Sequence, residues 1–200
     1  MGSSGGKQMV IHIQPRLYTP EEYLALEEVA EDKSEYRNGE IVPMTGGSTD
    51  HNQIAGNLYA HLKFALRQQP YKVFIGDVRL WIPDWRLFTY PDVMVIVGEP
   101  VYYADRTDTV TNPQMIIEVL SKSTRNYDQG DKFDAYRTIS EFQEYVLVDQ
   151  YQMYIKQFTK TAEGYWLLKD YREAQQTLAF TSVEFTIGLE DIYEGVVGQE

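Results

Sequence analysis

Apolar and polar positions along this 200-residue chain predict a helix, a hairpin, a second helix, a long hairpin, a strand, a third helix and further strands. Thr19-Pro20-Glu21-Glu22 is a helix start: a capping hydroxyl, a proline where the missing N–H costs nothing, and a glutamate three residues after the cap. This helix is predicted to run to about Glu31. Glu35 to Met44 reads as a hairpin around Asn38-Gly39, since that dipeptide tolerates the positive φ of a type I′ turn, and Glu35 falls on the incoming strand. After a loop at Gly46 to Asp50, capped by Thr49 or Asp50, Ile54, Leu58, Leu62 and Ala65 recur on one helical face, with His51 in the first turn.

Tyr71 to Ile82 and Leu87 to Val97 predict a long antiparallel pair turned at Pro83 to Arg86, followed by an irregular surface excursion from Gly98 to Asn112. Gln114 to Leu120 reads as the central strand. A helix carrying Lys132 and Tyr136 on one face follows, and then a buried strand from Glu144 to Asp149. Gln152 to Lys160, Gly164 to Tyr171 and Thr177 to Phe185 alternate like an antiparallel meander, closed by a helical turn near Leu189 to Tyr193. Residues 1–8 read as a flexible leader or cloning scar, with a native start at Met9 and a single domain over 9–200.

Composition narrows the function classes. The chain has no cysteine, so disulfides and thiolate metal sites are excluded, and any metal ligand must be oxygen or imidazole; a cytoplasmic location is expected. No run approaches the roughly 18 apolar residues of a membrane span. The net charge of −12 argues against tight, sequence-independent DNA binding, which leaves a basic footprint. Sixteen tyrosines, three tryptophans and eight phenylalanines suit a subunit interface as well as a core, and a homodimer is expected.

Two carboxylates change the picture further. Asp92 opens the run Val93 to Val97, and Glu118 interrupts the run Met115 to Leu120. An unpaired buried anion costs several kcal/mol, so Glu118 requires a cation, a proton or hydrogen bonds. A second carboxylate on a neighbouring strand makes a shared hard divalent cation the economical arrangement.

The element order, with Pro91-Asp92-Val93 and Glu118-Val119-Leu120-Ser121, resembles the PD-(D/E)xK nuclease superfamily. Within it the chain is similar to a bacterial family of uncharacterised restriction-endonuclease-like proteins, from about Leu17 to Tyr193 and including Glu35, Gly39 and His51. The resemblance implies an α/β fold with an α-β-β-β-α-β mixed sheet flanked by helices, plus an N-terminal helix and hairpin and C-terminal antiparallel strands. It implies metal-dependent hydrolysis of DNA phosphodiester bonds, with Mg²⁺ or Mn²⁺ on Asp92 and Glu118 and Glu35 completing the metal shell. His51 would be an auxiliary base or phosphate contact. The superfamily lysine would stand two residues after Glu118, where this chain has Leu120. Lys132 on the following helix is ranked as its substitute, ahead of Lys122 in the turn. Two other readings stay open: a non-catalytic nuclease-fold scaffold or interaction protein, and hydrolysis of a different phosphorylated substrate.

Overall fold

The structure, a computed structural model, describes residues 16–196; the expected leader, the Met9 start and His12 lie outside them. Helix α1 (Pro20–Glu27) begins as expected. Thr19 accepts from the Glu22 N–H while Glu22 reaches back to the Thr19 N–H, which satisfies two of the free donors of the first turn. Strands β1 (Ser34–Arg37) and β2 (Glu40–Pro43) pair antiparallel, with positive φ at both Asn38 and Gly39. Helix α2 (Thr49–Ala65) is capped by Ser48, one residue before the expected cap, through the His51 N–H.

The predicted long hairpin is four strands rather than two: β3 (Tyr71–Ile75), β4 (Arg79–Ile82), β5 (Leu87–Thr89) and β6 (Val93–Val97). β3 pairs with β6 and β4 with β5, but the two halves belong to different sheets. Between the pairs Ile75↔Val93 and Leu80↔Thr89, the four residues Gly76 to Arg79 stand against the three residues Tyr90 to Asp92. One extra residue on one side bends a ladder, and Pro91 has no N–H to continue it. The chain turns its corner there, which places Asp92 at the seam between the sheets. The surface excursion is less irregular than expected, because Thr109–Val110 (β7) adds a short parallel strand to β4.

The larger sheet also contains β8 (Met115–Leu120), β9 (Glu144–Asp149), β10 (Ile155–Lys160) and β11 (Trp166–Tyr171), in the order β11-β10-β9-β8-β6-β3. The smaller sheet runs β2-β1-β5-β4-β7, and β12 (Thr177–Ala179) pairs with β13 (Thr186–Gly188) in a separate two-stranded sheet. The predicted third helix is α4 (Asp131–Tyr136); a short helix that the sequence did not suggest, α3 (Arg125–Gln129), precedes it across Gly130, and α5 (Leu189–Ile192) closes the described chain.

The two-residue side-chain period sorts the main sheet into two cores. Val93, Val95, Ile117, Val119, Val146 and Val148 meet Ile54, Leu58 and Leu62 of α2. Met94, Ile96, Ile116, Leu120, Tyr145 and Leu147 meet Ala135 and Tyr136 of α4. Burying each such aliphatic side chain contributes about 1.5–3 kcal/mol. Glu118 shares the parity of Ile116 and Leu120, so it enters the α4 side. Many of the aromatics turn inward: Tyr23, Tyr36, Trp81 and Phe88 form a buried group beside the smaller sheet, and Tyr136 of α4 packs with Phe142 and Tyr145. Among the described residues no helix is long and apolar enough to cross a membrane.

Candidate active site

The pairing of β6 with β8 stops at Val93↔Ile117, and side chains take over from backbone beyond it. Asp92 Oδ2 accepts the Val119 N–H at 2.7 Å, and Glu118 Oε2 lies 3.4 Å from the Asp92 N–H. Asp92 and Glu118 are therefore locked across the strand ends by reciprocal contacts. Asp92 Oδ2 is also 3.2 Å from His51 Nε2, and these two side chains remain 21% and 18% exposed, enough for solvent to reach them. Glu118 and Lys132 are closed in by comparison.

On the other side of Glu118, Oε1 receives the Tyr136 hydroxyl at 2.7 Å and the Lys132 ammonium at 2.8 Å. Lys132 Nζ also lies 3.5 Å from Asp128 Oδ1 and 3.6 Å from Glu35 Oε1, so three buried carboxylates surround one ammonium. Glu35 comes from the smaller sheet, where Thr89 Oγ1 donates to one oxygen and Arg37 to the other. Arg37 in turn lies 3.7 Å over the Tyr127 ring.

The charges follow from this geometry. Burial pushes the Glu118 carboxyl upward, Lys132 opposes it, and the Asp92 and Asp128 carboxylates add to it; the result is about 8. Burial alone would lower Lys132, but Glu118, Glu35 and Asp128 together raise it well above the usual lysine value. Burial would raise Glu35, yet Lys132, Thr89 and Arg37 hold it below its usual range. Burial likewise raises Asp128, and the opposing pull of Lys132 does not cancel it. For His51 burial works downward, and the hydrogen bond and charge of Asp92 outweigh it, so its imidazole binds a proton more readily than usual.

The structure thus brings Asp92, Glu118, Lys132 and His51 to one place and attaches Glu35 to it through Lys132. Lys122 stays outside, exposed over the Tyr151 ring. Sequence reasoning missed Asp128, although its position four residues before Lys132 on a helical stretch was a usable signal. It noted that Tyr136 shares a face with Lys132 without giving the hydroxyl a task. It also missed Gln150, which accepts from Ser48 Oγ and donates to the Leu120 carbonyl at 2.9 Å, tying the α2 cap to the end of β8.

Four carboxyl groups (Asp92, Glu118, Asp128, Glu35) face two permanent cations (Lys132, Arg37), so with all four ionised the site would be anionic even with His51 protonated. That excess, expressed in the raised Glu118, is what a hard divalent cation relieves. Among the described residues no group of three or more carboxylate and imidazole side chains is gathered to hold a metal. Asp92 with Glu118 is a two-carboxylate set, and Mg²⁺ is usually held by one or two carboxylates with waters and substrate phosphate filling the remainder.

Gly47 makes room for His51: a Cβ there would stand 2.8 Å from His51 Nδ1. Gly47→Ala is therefore expected to displace the imidazole from Asp92 and slow any cleavage a few-fold while leaving the thermal midpoint near that of the parent. Nicking rates and melting curves on the same preparations check this.

The Uma2 family, described as "Putative restriction endonuclease", matches residues 20–190. Two uncharacterized proteins of Synechocystis are similar over most of their length. One, sll1609, is 40% identical over 162 residues, covering 81% of this chain and 92% of its own; the other, slr1290, is 34% identical over 184 residues, covering 91% and 94%. The crystal structure of a putative nuclease of the DUF820 group from Anabaena variabilis superposes with a TM-score of 0.74 at 16% identity, covering 90% of this chain and 99% of that one, which shows a shared fold.

Proposed function

This chain belongs to the Uma2 family of putative restriction endonucleases, and from that premise we propose that it is a metal-dependent nuclease acting on DNA in the cytoplasm. The observation that carries the reading is the locked pair Asp92 and Glu118 at the seam of two sheets, with the Lys132 ammonium 2.8 Å from Glu118. Mg²⁺ or Mn²⁺ held by Asp92 and Glu118 would supply charge neutralisation at the phosphate and a more acidic attacking water.

The chain's own groups account for the rest. Lys132, supplied from α4 in place of the residue at Leu120, offsets charge developing on the scissile phosphate. Glu35 and Asp128 keep that ammonium charged and oriented; Glu35 serves here as a holder of Lys132, its oxygens being engaged by Thr89, Arg37 and Lys132. Tyr136 fixes the Glu118 carboxylate from the buried side. His51, within reach of Asp92 and solvent, holds or passes the proton of the attacking water, as an imidazole poised near neutrality can.

The test is nicking of supercoiled plasmid and of circular single-stranded DNA with Mg²⁺ or Mn²⁺, comparing the parent with Asp92→Ala and Glu118→Ala. The proposal expects metal-dependent cleavage by the parent and none by either variant; equal cleavage by all three would come from a contaminant and would remove its support. A second reading, a non-catalytic nuclease-fold scaffold, draws on the −12 charge and on Leu120 in the lysine position. No cleavage by a folded, metal-loaded parent on any of these substrates favours it.

A pH dependence follows from Glu118. Its folded-state value near 8 lies above the ordinary carboxyl value of 4.5, so in metal-free protein its contribution to stability is present below about 4.5 and is lost as pH rises through about 8. Metal binding requires the ionised form, so Mg²⁺ affinity is expected to increase over the same interval. Metal titrations at several pH values check this; affinity that falls with pH contradicts it. We also propose a homodimer. Edge strand β11 leaves one side of its backbone unpaired, and Tyr165, Leu167 and Leu168 stand exposed there. Sedimentation showing only monomer at micromolar concentration contradicts that assembly.

A further inference from the structure

β8 and β9 are parallel neighbours, and their carboxyl ends finish side by side at Leu120 and Asp149. The chain after β8 leaves through Ser121 to Thr124 into α3, and the chain after β9 turns through Gln150 to Tyr154 back into antiparallel β10. Two loops therefore border the carboxyl ends of this parallel pair. The N-terminus of α2, with His51 in its first turn, borders the same rim, joined to it by the hydrogen bonds from Ser48 to Gln150 and from Gln150 to Leu120.

Two side chains at this rim have no structural task. Tyr151 is 48% exposed, and the exposed Lys122 ammonium sits 5.2 Å from its ring centroid, paired with no carboxylate among the described residues. Neighbouring cations differ: Arg125 is bound to Asp149 at 2.8 Å, Arg37 to Glu35, and Lys132 is enclosed by carboxylates. Lys122, in the loop that follows β8, is thus a cation at this rim whose charge remains available, and it is presented together with an aromatic ring.

Resting on the nuclease reading above, we infer that Lys122 and Tyr151 form a landing for one unpaired nucleotide, the ring stacking on its base and the ammonium meeting its phosphate. The site therefore takes single-stranded nucleic acid in preference to duplex. A tyrosine ring stacks on a base face, which a duplex exposes only at its ends, and such stacking beside cations is the usual means of holding single strands. Duplex binding instead rests on many phosphate-facing cations, and a chain of net charge −12 with most of the cations near its site neutralised is poorly supplied with them.

Anisotropy of a fluorescein-labelled single strand and of the same sequence as duplex, with the full chain in Ca²⁺ to suppress turnover, tests this. The parent is expected to bind the single strand more tightly. Tyr151→Ala should weaken that binding about tenfold, the loss of one stacked base, and Tyr151→Phe should stay within about twofold. Lys122→Ala should also reduce the salt dependence of single-strand binding by about one phosphate contact. Neither exposed side chain supports the core, so folding is not at issue. Equal or tighter duplex binding, no binding to either form, or Tyr151→Ala affinity equal to the parent's would overturn the inference. Its fate is separable from the nuclease reading: Tyr151-dependent single-strand binding without cleavage keeps the landing and removes the enzyme. Cleavage indifferent to Tyr151 and to strandedness does the reverse.

Discussion

Lys132→Met is expected to cost both the fold and the chemistry. Its removal leaves Glu118, Glu35 and Asp128 buried with no shared cation. Breaking a buried ion pair by deleting one partner costs about 3–5 kcal/mol, because the remaining charge is uncompensated. Here the carboxyls have an escape, since each can take a proton, and the loss should depend on pH. Without the lysine, Glu118 and Asp128 rise further above their unfolded values and Glu35 loses the charge that holds it down, and an acid with a raised value stabilises the fold only while protonated. Urea melts should therefore show a small loss at about pH 5 and the full loss at about pH 8. The opposite slope, or no loss at either pH, would mean that Lys132 is a solvated helix lysine. Under conditions where the variant is folded, DNA cleavage should still be absent.

The second large effect is expected from the carboxylates. Asp92→Asn and Glu118→Gln keep shape while removing charge, so their melting midpoints should stay much closer to the parent's than that of Lys132→Met. Cleavage by either variant should fall by about a hundredfold or more, the scale seen when a group that stabilises transition-state charge is removed. Because both act through one centre, the double variant should be no slower than the worse single one. Losses that multiply would indicate that the two carboxylates work independently. Single-turnover rates on a saturating substrate measure this without interference from binding.

Much of this arrangement was legible before any coordinates. Asp92 and Glu118 stood out because one opens and the other interrupts a run rich in β-branched residues, and a buried charge in such a run needs a reason. The Thr19 capping box and the Asn38-Gly39 turn are local, so their sequences determined them. The split of the long hairpin was not legible. Both halves alternate with the same period, and only the one-residue mismatch at Gly76 to Arg79 against Tyr90 to Asp92 sends them to different sheets. That corner also explains why Glu35, from the smaller sheet, reaches Lys132 and is engaged by Thr89 and Arg37. The short helix before Gly130 was equally hidden, since the polar stretch up to Asp131 read as a lead-in to the helix carrying Lys132, and with it Asp128 escaped notice. The abundance of aromatics suited a core as well as an interface, and composition alone did not say that many of them fill the core beside the sheets.

Anomalous diffraction from crystals grown with Mn²⁺ tests the central claim most directly. The account predicts a single strong peak at the seam, with oxygens of Asp92 and Glu118 both at roughly 2.1 Å from it. No peak at saturating Mn²⁺, or one coordinated by neither carboxylate, would contradict it.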